Sequence, residues 1–304
     1  MKELESKISS EYKKAADSAE GKLKAHLKKF KDLDEKYSKQ VAEGKLSKGE
    51  YIKWRRSAMM RGKRWQDMRS VLVSDMQNAN KIAMGLINDS TIDAYALNMN
   101  YGTYEIEAGT QLNTSFSLYD HATVENLMKE NPEVIPKARL DIPKDRLWNR
   151  QKLTSAITQG ILTGESIPDI AKRLRGVADM NEHAAIRNAR TYTTAAENKG
   201  RVDSYERALA MGIKLKQEWM ASLDMRTRAS HRLLDGEKVE VGKKFSNGCR
   251  YPGDPEGKPW EIYNCRCTLV AVIEGFDDSA EERFSRLPKG MSYNEWKRDK
   301  QKDK

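Results

Sequence analysis

The hydrophobic periodicity of this chain changes after Gly212, and no other feature restricts its fold as much. Before that glycine, apolar residues recur every three or four positions, which is typical of amphipathic helices. After it, alternating apolar residues predict a strand at 213–219, and the apolar run 268–273 predicts a buried strand. Asp-Gly, Asn-Gly and Pro-Gly pairs between them predict turns. We therefore expect an α+β protein with a charged, mostly helical N-terminal half and a C-terminal domain of helices packed on a small, loop-rich antiparallel sheet.

Shifts in composition divide the 304 residues into four predicted segments. These are a basic helical region at 1–86, a mixed connecting region with a linker at 87–147, an α+β domain at 148–276 and a charged C-terminal tail at 277–304. Two prolines within 135–147 discourage helix and mark the linker.

Local signals predict several helix boundaries. A second helix is expected from Glu50 to Leu86, and Gly102 and Gly109 are interpreted as turn residues. Gly164 is expected to end one helix and Ser166 to begin the next. A further helix is expected after residue 181. It carries small residues that would let another element pack closely: Ala185, Ala189, Thr193, Ala196 and Gly200.

The net charge of +10 lies mainly at the N-terminus, where residues 1–80 hold 20 Lys or Arg against 12 Asp or Glu. Cationic and flat side chains lie close together from residue 45 to 69, a combination that suits phosphate contact with stacking. A second interpretation is that Trp54, Met59 and Trp65 form a buried stripe with a solvated basic edge. The candidate contacts for non-specific double-stranded DNA or a protein partner are Lys53, Trp54, Arg55, Arg56, Arg61, Lys63 and Arg64.

Three cysteines lie within a short stretch, at Cys249, Cys265 and Cys267. An odd, clustered set does not form an even disulfide framework, which indicates reduced thiols or metal ligands. The sequence contains no apolar run of membrane-spanning length and no secretory signal at its first residues. We therefore expect no membrane partner and a location in the cytoplasm of the cell that makes the protein.

Four ordered segments of the C-terminal half carry a resemblance to a known family. They are ARTYTTAAENKGR (189–201), EWMASLDMRTRASHRLLDG (218–236), FSNGCRYPGDP (245–255) and NCRCTLV (264–270). In this order and separation they resemble the phage Mu F-type head morphogenesis family, over roughly residues 145–275. The motif residues are Arg190, Asp224, Arg226, Thr227, His231, Asp235, Gly236, Cys265, Arg266 and Cys267.

The resemblance implies a non-enzymatic minor head protein of a tailed phage or prophage. Family members associate with the portal vertex, so the expected partners are a portal protein and a capsid or scaffolding protein. The expected location is the virion or the procapsid interior, with a role in head assembly, DNA packaging or genome delivery. The motif carboxylates and guanidiniums are expected to form ion pairs that hold the turns of the sheet.

The family's cysteine-rich version resembles a zinc-binding set, and this chain departs from it. Arg228 and His231 replace its first two cysteines, and Ile262 replaces its histidine. Two interpretations stay open. His231, Cys249, Cys265 and Cys267 surround a zinc ion, or the thiols pack in the core without a cofactor while His231 hydrogen-bonds a carboxylate or backbone group. The sequence favours the second.

An enzyme is the alternative function class, either a degenerate ADP-ribosyltransferase or a nuclease. A metal-dependent nuclease needs further histidines, and only His231 lies near the motif. For a transferase, the suggestive acidic pair Glu105 and Glu107 precedes Arg190, which is the wrong order. The sequence therefore favours a protein without catalytic residues.

Overall fold

The computed structural model describes residues 1–140, 142–276 and 284–302. The chain divides into two compact units, with unit 1 formed by 1–86 and 139–186 and unit 2 by 87–138 and 187–304. These units group the chain differently from the four predicted segments, because each combines two separate stretches. The predicted α+β class is confirmed, since helices dominate and the antiparallel strands lie in unit 2.

Unit 1 is entirely helical in its described part. It contains α1 (Lys2–Lys28), α2 (Lys31–Ala42), α3 (Lys48–Met59), α6 (Pro143–Thr163) and the first parts of α4 (Lys63–Thr110) and α7 (Ile167–Ala210). The apolar face of α1 is buried from Leu4 to Leu27. Buried residues at helical spacing on α4, from Trp65 to Met76, and on α6, from Leu153 to Ile161, complete the core. α1, α4 and α6 therefore each gain stability from one packed face.

Several predicted helix ends of unit 1 are confirmed. Gly164 ends α6 in the left-handed conformation, with φ of 77°. Ser166 begins the next helix, where its hydroxyl accepts a hydrogen bond from the Asp169 backbone N–H at 3.3 Å. Pro143 begins α6 within the predicted linker, where its missing N–H costs nothing. Asp141 lies outside the described residues.

Two expectations about helix boundaries are wrong. The helix predicted from Glu50 to Leu86 is interrupted near Gly62, which has φ of +83°, and then continues as α4 to Thr110. The helix predicted to start after residue 181 is part of one continuous helix, α7. Asn181 lies inside α7, where its side-chain amide donates to the Val177 carbonyl one turn back at 2.9 Å.

Gly102 and Gly109 lie inside α4 and are not turn residues. A Cβ at Gly102 would lie 2.2 Å from the Ser204 hydroxyl of α7, so the missing side chain permits close helix packing. The small residues of α7 act in the same way. A Cβ at Gly200 would lie 2.6 Å from the Tyr95 carbonyl oxygen, which confirms the close approach expected from that stripe.

Unit 2 combines the rest of α4 and α7 with short helices and two sheets. Its further elements are β1 (Leu112–Asn113), α5 (His121–Glu130), β2 (Ile213–Met220), α8 (Ala229–Leu233), β3 (Lys238–Glu240), α9 (Pro259–Ile262), β4 (Thr268–Phe276), β5 (Ser285–Arg286) and α10 (Tyr293–Lys302). The three-stranded sheet has the antiparallel order β3-β2-β4. A second antiparallel pair joins β1 and β5. The predicted strands at 213–219 and 268–273 are thus confirmed.

The core of unit 2 lies between the three-stranded sheet and the second half of α7. Trp219, Leu269 and Tyr205 are fully buried there. Part of the predicted charged tail also enters the core, because α10 buries Trp296 against Phe116. Residues 277–283 and 303–304 of that tail lie outside the described residues.

Candidate functional site

The candidate site lies where α8 meets the start of β4. His231 is on α8, and Cys265 and Cys267 lie just before β4 on a segment joined to α7. Trp219 of β2 packs edge-on against the His231 ring, with ring centroids 5.3 Å apart. This packing fixes the plane of the imidazole within the core.

The imidazole and two thiols converge on one point. The Nδ1 atom of His231 lies 3.4 Å from the Sγ atom of Cys267 and 3.6 Å from that of Cys265. All three residues are buried, and their ligand atoms lie within 4.8 Å of one another. A small cavity of ≈ 10 Å³ is lined by these three residues together with neighbouring polar ones.

Glu261 of α9 orients the imidazole from its other side. Its Oε2 atom lies 3.0 Å from the His231 Nε2 atom. A carboxylate at Nε2 favours the tautomer with the proton there, so the lone pair of Nδ1 faces the two sulfurs. The Ser230 hydroxyl also donates to this Oε2 atom of Glu261, at 3.2 Å.

The two thiols have opposed proton affinities. The hydrogen bond from Cys265 lowers the pKa of Cys267 below its ordinary value. The neighbouring Cys267 sulfur and burial raise the pKa of Cys265 above its ordinary value.

The donor set fits a zinc ion. With Zn–S of about 2.3 Å and Zn–N of about 2.0 Å in tetrahedral geometry, ligand N and S atoms are about 3.5 Å apart. The two observed N–S distances bracket that value. A histidine that binds a metal through one ring nitrogen usually donates the N–H of its other ring nitrogen to a carboxylate, as the contact between His231 and Glu261 allows.

Cys249 does not join this cluster. Its Sγ atom packs against Gly257, where a Cβ would lie 2.5 Å from the sulfur. Burial raises the pKa of Cys249 to about 11, so the thiol stays protonated. The structure brings together three of the four candidate ligands.

Three side chains of α7 hold the cysteine segment in place. Thr191 accepts from the Asn264 N–H at 3.1 Å, and Thr194 donates to the Cys265 carbonyl at 2.9 Å. The amide of Asn198 donates to the Cys267 carbonyl at 3.3 Å and accepts from the Leu269 N–H at 2.9 Å. The spacing of three and four places these side chains on one helix face.

The motif residue Asp224 forms an ion pair with Arg266. The two side chains are bidentate, and one of the two contacts measures 2.7 Å. The Arg266 guanidinium holds the pKa of Asp224 well below its usual range. The same carboxylate accepts from the Arg226 backbone N–H at 2.9 Å and the Thr227 hydroxyl at 3.1 Å, so it also closes its own turn.

The remaining motif residues shape the backbone around the sheet. Asp235 accepts from the Ala221 N–H at 2.8 Å, and Gly236 adopts φ of 80° and donates to the Trp219 carbonyl at 2.9 Å. These bonds hold the turn between α8 and β3. Arg190 lies half-buried on α7. Arg228 donates to the Tyr263 carbonyl, which links the loop before α8 to α9.

The predicted basic contact segment is only partly exposed. Lys53, Arg56, Arg61, Lys63 and Arg64 are exposed, and Trp54 is half-buried. Arg55 cannot be a surface contact, because it is 1% exposed and its Nε atom lies 3.2 Å from an Asp34 carboxylate oxygen. It also donates to the Glu165 carbonyl at 3.1 Å. Helix packing, with Met59 and Trp65 buried, therefore removes one of the predicted cations from the surface.

Sequence reasoning missed Glu261 and Asn198. Glu261 follows a Pro-Trp pair in a segment dense in turn residues, where a single carboxylate gives no periodic signal. Asn198 stands in the middle of a helix, where asparagine is unfavourable unless its side chain has a partner. That position is the one signal that could have revealed it.

The region that carries this site matches a known family. Residues 151–270 match the family described as Phage Mu protein F like protein. This match confirms, over the C-terminal domain, the family resemblance that the motifs predicted.

Individual relatives extend the comparison. The minor head protein GP7 of Bacillus phage SPP1 is 27% identical over 286 residues, covering 91% of this chain and 88% of that protein. The NAD(+)--arginine ADP-ribosyltransferase EFV of Enterococcus faecalis is 32% identical over 206 residues, covering 65% of this chain. The chain spans 41% of the length of EFV. The uncharacterized protein YqbB of Bacillus subtilis is 28% identical over 152 residues, covering 46% of this chain and 49% of that protein.

No solved structure matches the chain. Among the residues that the structure describes, no helix is long and apolar enough to cross a membrane.

Proposed function

We propose that this protein is a non-enzymatic minor head protein of a tailed phage or prophage, which associates with portal and assists head assembly, DNA packaging or genome delivery. The observation that carries the proposal is the match to SPP1 GP7 over 91% of this chain and 88% of that protein. A match of that extent includes both the basic helical region and the C-terminal domain. The phage virion or procapsid interior is the proposed location.

Exposed apolar side chains of unit 2 support a protein partner there. Met225 is 98% exposed, Leu233 is 87% exposed and Trp260 is 64% exposed. They lie on the loop before α8, on α8 and on α9, and the hydrogen bond from Ser230 to Glu261 joins α8 to α9. Large exposed apolar groups close together are typical of interaction sites.

Portal capture tests this role. The full chain with Met225→Asp and Leu233→Asp is expected to lose co-purification with a co-expressed portal protein, and to keep its fold because both side chains are exposed. Leu147→Asp, at a 56% exposed position of unit 1, is the matched control and should retain portal. Equal retention by all three proteins would refute docking through this surface, and the absence of portal from every sample would refute the role itself.

Non-specific contact with double-stranded DNA is the proposed role of the exposed cations Lys53, Arg56, Arg61, Lys63 and Arg64. Phosphate neutralisation by such groups gives affinity that falls steeply with salt. A capsid or scaffolding protein is the further proposed partner of the procapsid stage.

An ADP-ribosyltransferase is the second candidate, favoured by the similarity to EFV. The acidic pair that could serve such a reaction has structural partners. Glu105 pairs with Arg201 at 2.8 Å, and Glu107 is fully buried against Trp296 and Lys300. Incubation of the full chain with NAD and an arginine substrate is expected to give no ADP-ribosyl product, and a product lost in Glu105→Gln would favour the transferase.

A structural metal ion is proposed at His231, Cys265 and Cys267. The sequence favoured a metal-free cluster. In the structure, two sulfurs lie close to the Nδ1 atom of His231, and this convergence favours a zinc ion instead. Three buried ligand atoms within 4.8 Å of one another have the spacing of ligands around one zinc ion. The ion would join α8 to the start of β4 and stabilise a loop-rich region.

A further inference from the structure

Unit 1 contains a groove of ≈ 740 Å³ between α4 and α6. Side chains of α4 from residue 66 to 77 form one wall, and side chains of α6 from residue 146 to 154 form the other. The α4 wall runs from residue 66 to residue 77, which is about 16 Å at the rise of an α-helix. The lining residues are Gln66, Arg69, Ser70, Val73, Gln77, Arg146, Leu147, Arg150 and Thr154.

The charge of this groove is positive, and Arg69 and Arg150 are its main sources. Its lining contains three arginines and, among the residues that the structure describes, no carboxylate. Arg69 is held in place by a neutral acceptor, because its Nε and Nη2 atoms lie 3.3 Å and 3.0 Å from the Thr154 hydroxyl. Its guanidinium also packs over the Trp65 ring, 5.8 Å from the centroid. These contacts position the guanidinium without neutralising it.

The other lining groups match the chemistry of a phosphodiester. Hydroxyls of Ser70 and Thr154 and carboxamides of Gln66 and Gln77 accompany the guanidiniums. Arginine, serine, threonine and glutamine are the side chains that proteins use on phosphate oxygens. Among the described residues, the lining includes no aromatic ring on which a base could stack. The groove therefore suits a backbone and not bases.

An acidic segment of a partner protein fits less well. A helix docked between two helices needs an apolar stripe to bury, and Val73 and Leu147 are the apolar members of this lining. A polyanion needs no such stripe. The exposed Lys63, the first residue of α4, lies seven positions before Ser70 and so on the groove side of the helix, which continues the positive charge.

We propose that this groove binds one sugar–phosphate strand of double-stranded DNA, without sequence preference. The inference rests on the DNA contact proposed above and assigns it a site, with Arg69 and Arg150 as its principal cations. Lys63 extends the same contact toward the N-terminus of α4.

Salt titration of the full chain on a mixed-sequence duplex tests the site. For B-DNA, each neutralised phosphate contributes about 0.9 to the slope of log affinity against log salt. The double variant Arg69→Gln, Arg150→Gln is expected to lose about two contacts, which lowers the slope by about 1.8. Arg69→Lys, Arg150→Lys should keep the slope, since charge and not fork geometry is required. Lys152→Gln, an exposed cation of α6 outside the groove lining, is the control and should leave the slope nearly unchanged.

The outcomes separate this proposal from the proposed function. A slope in the double variant equal to that of Lys152→Gln would overturn the groove as the DNA site. Capture of a poly-glutamate peptide in place of DNA, lost in the double variant, would assign the groove to an acidic protein segment instead. Intact portal co-purification alongside absent DNA binding would refute the groove and leave the head-protein role standing. A scrambled duplex should bind as well as the original, and a sequence preference would contradict backbone contact.

Discussion

The carboxylate of Glu107 accepts a hydrogen bond of 2.6 Å from the indole nitrogen of Trp296, a residue 189 positions later in the chain. The same carboxylate accepts from the Lys300 ammonium at 3.1 Å and the Thr114 backbone N–H at 2.8 Å. Glu107 is fully buried, and the Lys300 side chain is 5% exposed. The end of the described chain is therefore fixed to α4 by a satisfied polar cluster, and its loss should be measurable.

Lys300→Met is expected to destabilise the protein by about 3 kcal/mol, because it leaves a buried carboxylate without its cation. The double variant Glu107→Leu, Lys300→Met should recover part of that loss, since it removes both charges together. Urea unfolding of the full chain measures both free energies. Lys297→Met, at an exposed position of α10, is the control and should change stability by less than about 0.5 kcal/mol. If Lys300→Met leaves the free energy of unfolding unchanged, the ion pair between Glu107 and Lys300 contributes nothing to stability.

Two helical glycines are expected to respond in opposite directions to alanine. At Gly200 the added Cβ would lie 2.6 Å from the Tyr95 carbonyl oxygen and 3.0 Å from the Met99 nitrogen, both rigid backbone atoms. Gly200→Ala should therefore destabilise the protein by about 1–3 kcal/mol. At Gly85 no atom lies within 4 Å of the added Cβ. Gly85→Ala should stabilise it by about 0.5–1 kcal/mol. Thermal unfolding checks both, and the same sign for the two variants would refute the close approach at Gly200.

Stability should fall in acid through Asp254. Burial acts to raise the pKa of this carboxyl, but hydrogen bonds from the Arg250 side chain and backbone and from the Glu256 N–H outweigh it and lower the pKa. A lowered folded-state pKa gives stability that is present above the unfolded value of about 3.9 and lost as pH falls through the folded value. Asp254→Asn should thus be less stable than the natural protein at pH 7, and the difference should shrink toward pH 3. A difference that grows in acid would contradict this assignment.

Zinc is expected at about one equivalent per chain after dialysis, measured by elemental analysis. Cys265→Ser and His231→Ala should lose the metal, and a chelator should lower the melting temperature of the natural protein while leaving that of Cys265→Ser unchanged. Cys249→Ser is the matched control and should retain zinc, because Cys249 lies outside the cluster. Metal-free protein with an unchanged melting temperature in chelator would restore the interpretation of buried thiols.

Local chemistry explains which parts of the fold could be predicted. Gly164 and Ser166 end and begin helices through backbone groups only a few positions away. The end of α6 and the start of α7 could therefore be predicted from the sequence. The strands β2 and β4 were predicted because alternation follows directly from one buried face. Gly102 was misread, because its role depends on Ser204, far away in the chain.

The site shows the same division between local and distant information. The Cys-x-Cys pair and His231 were identified from residue type and order. Their convergence depends on α9, which brings Glu261 to the imidazole, and on α7, which holds the Cys265 carbonyl through Thr194. Arg55 was assigned to the surface because its partner Asp34 belongs to another helix, and no helical pattern in the sequence joins the two.

The side chain of Asn198, on helix α7, hydrogen-bonds the backbone where the edge strand β4 begins. Its carboxamide donates to one backbone carbonyl and accepts from a backbone N–H two residues later, as the peptide groups of an adjacent strand would. Strand edges invite pairing with other chains, because their backbone groups remain unpaired. A single helical side chain therefore mimics a peptide unit where β4 begins, and protects that stretch of edge from self-association between copies of the protein.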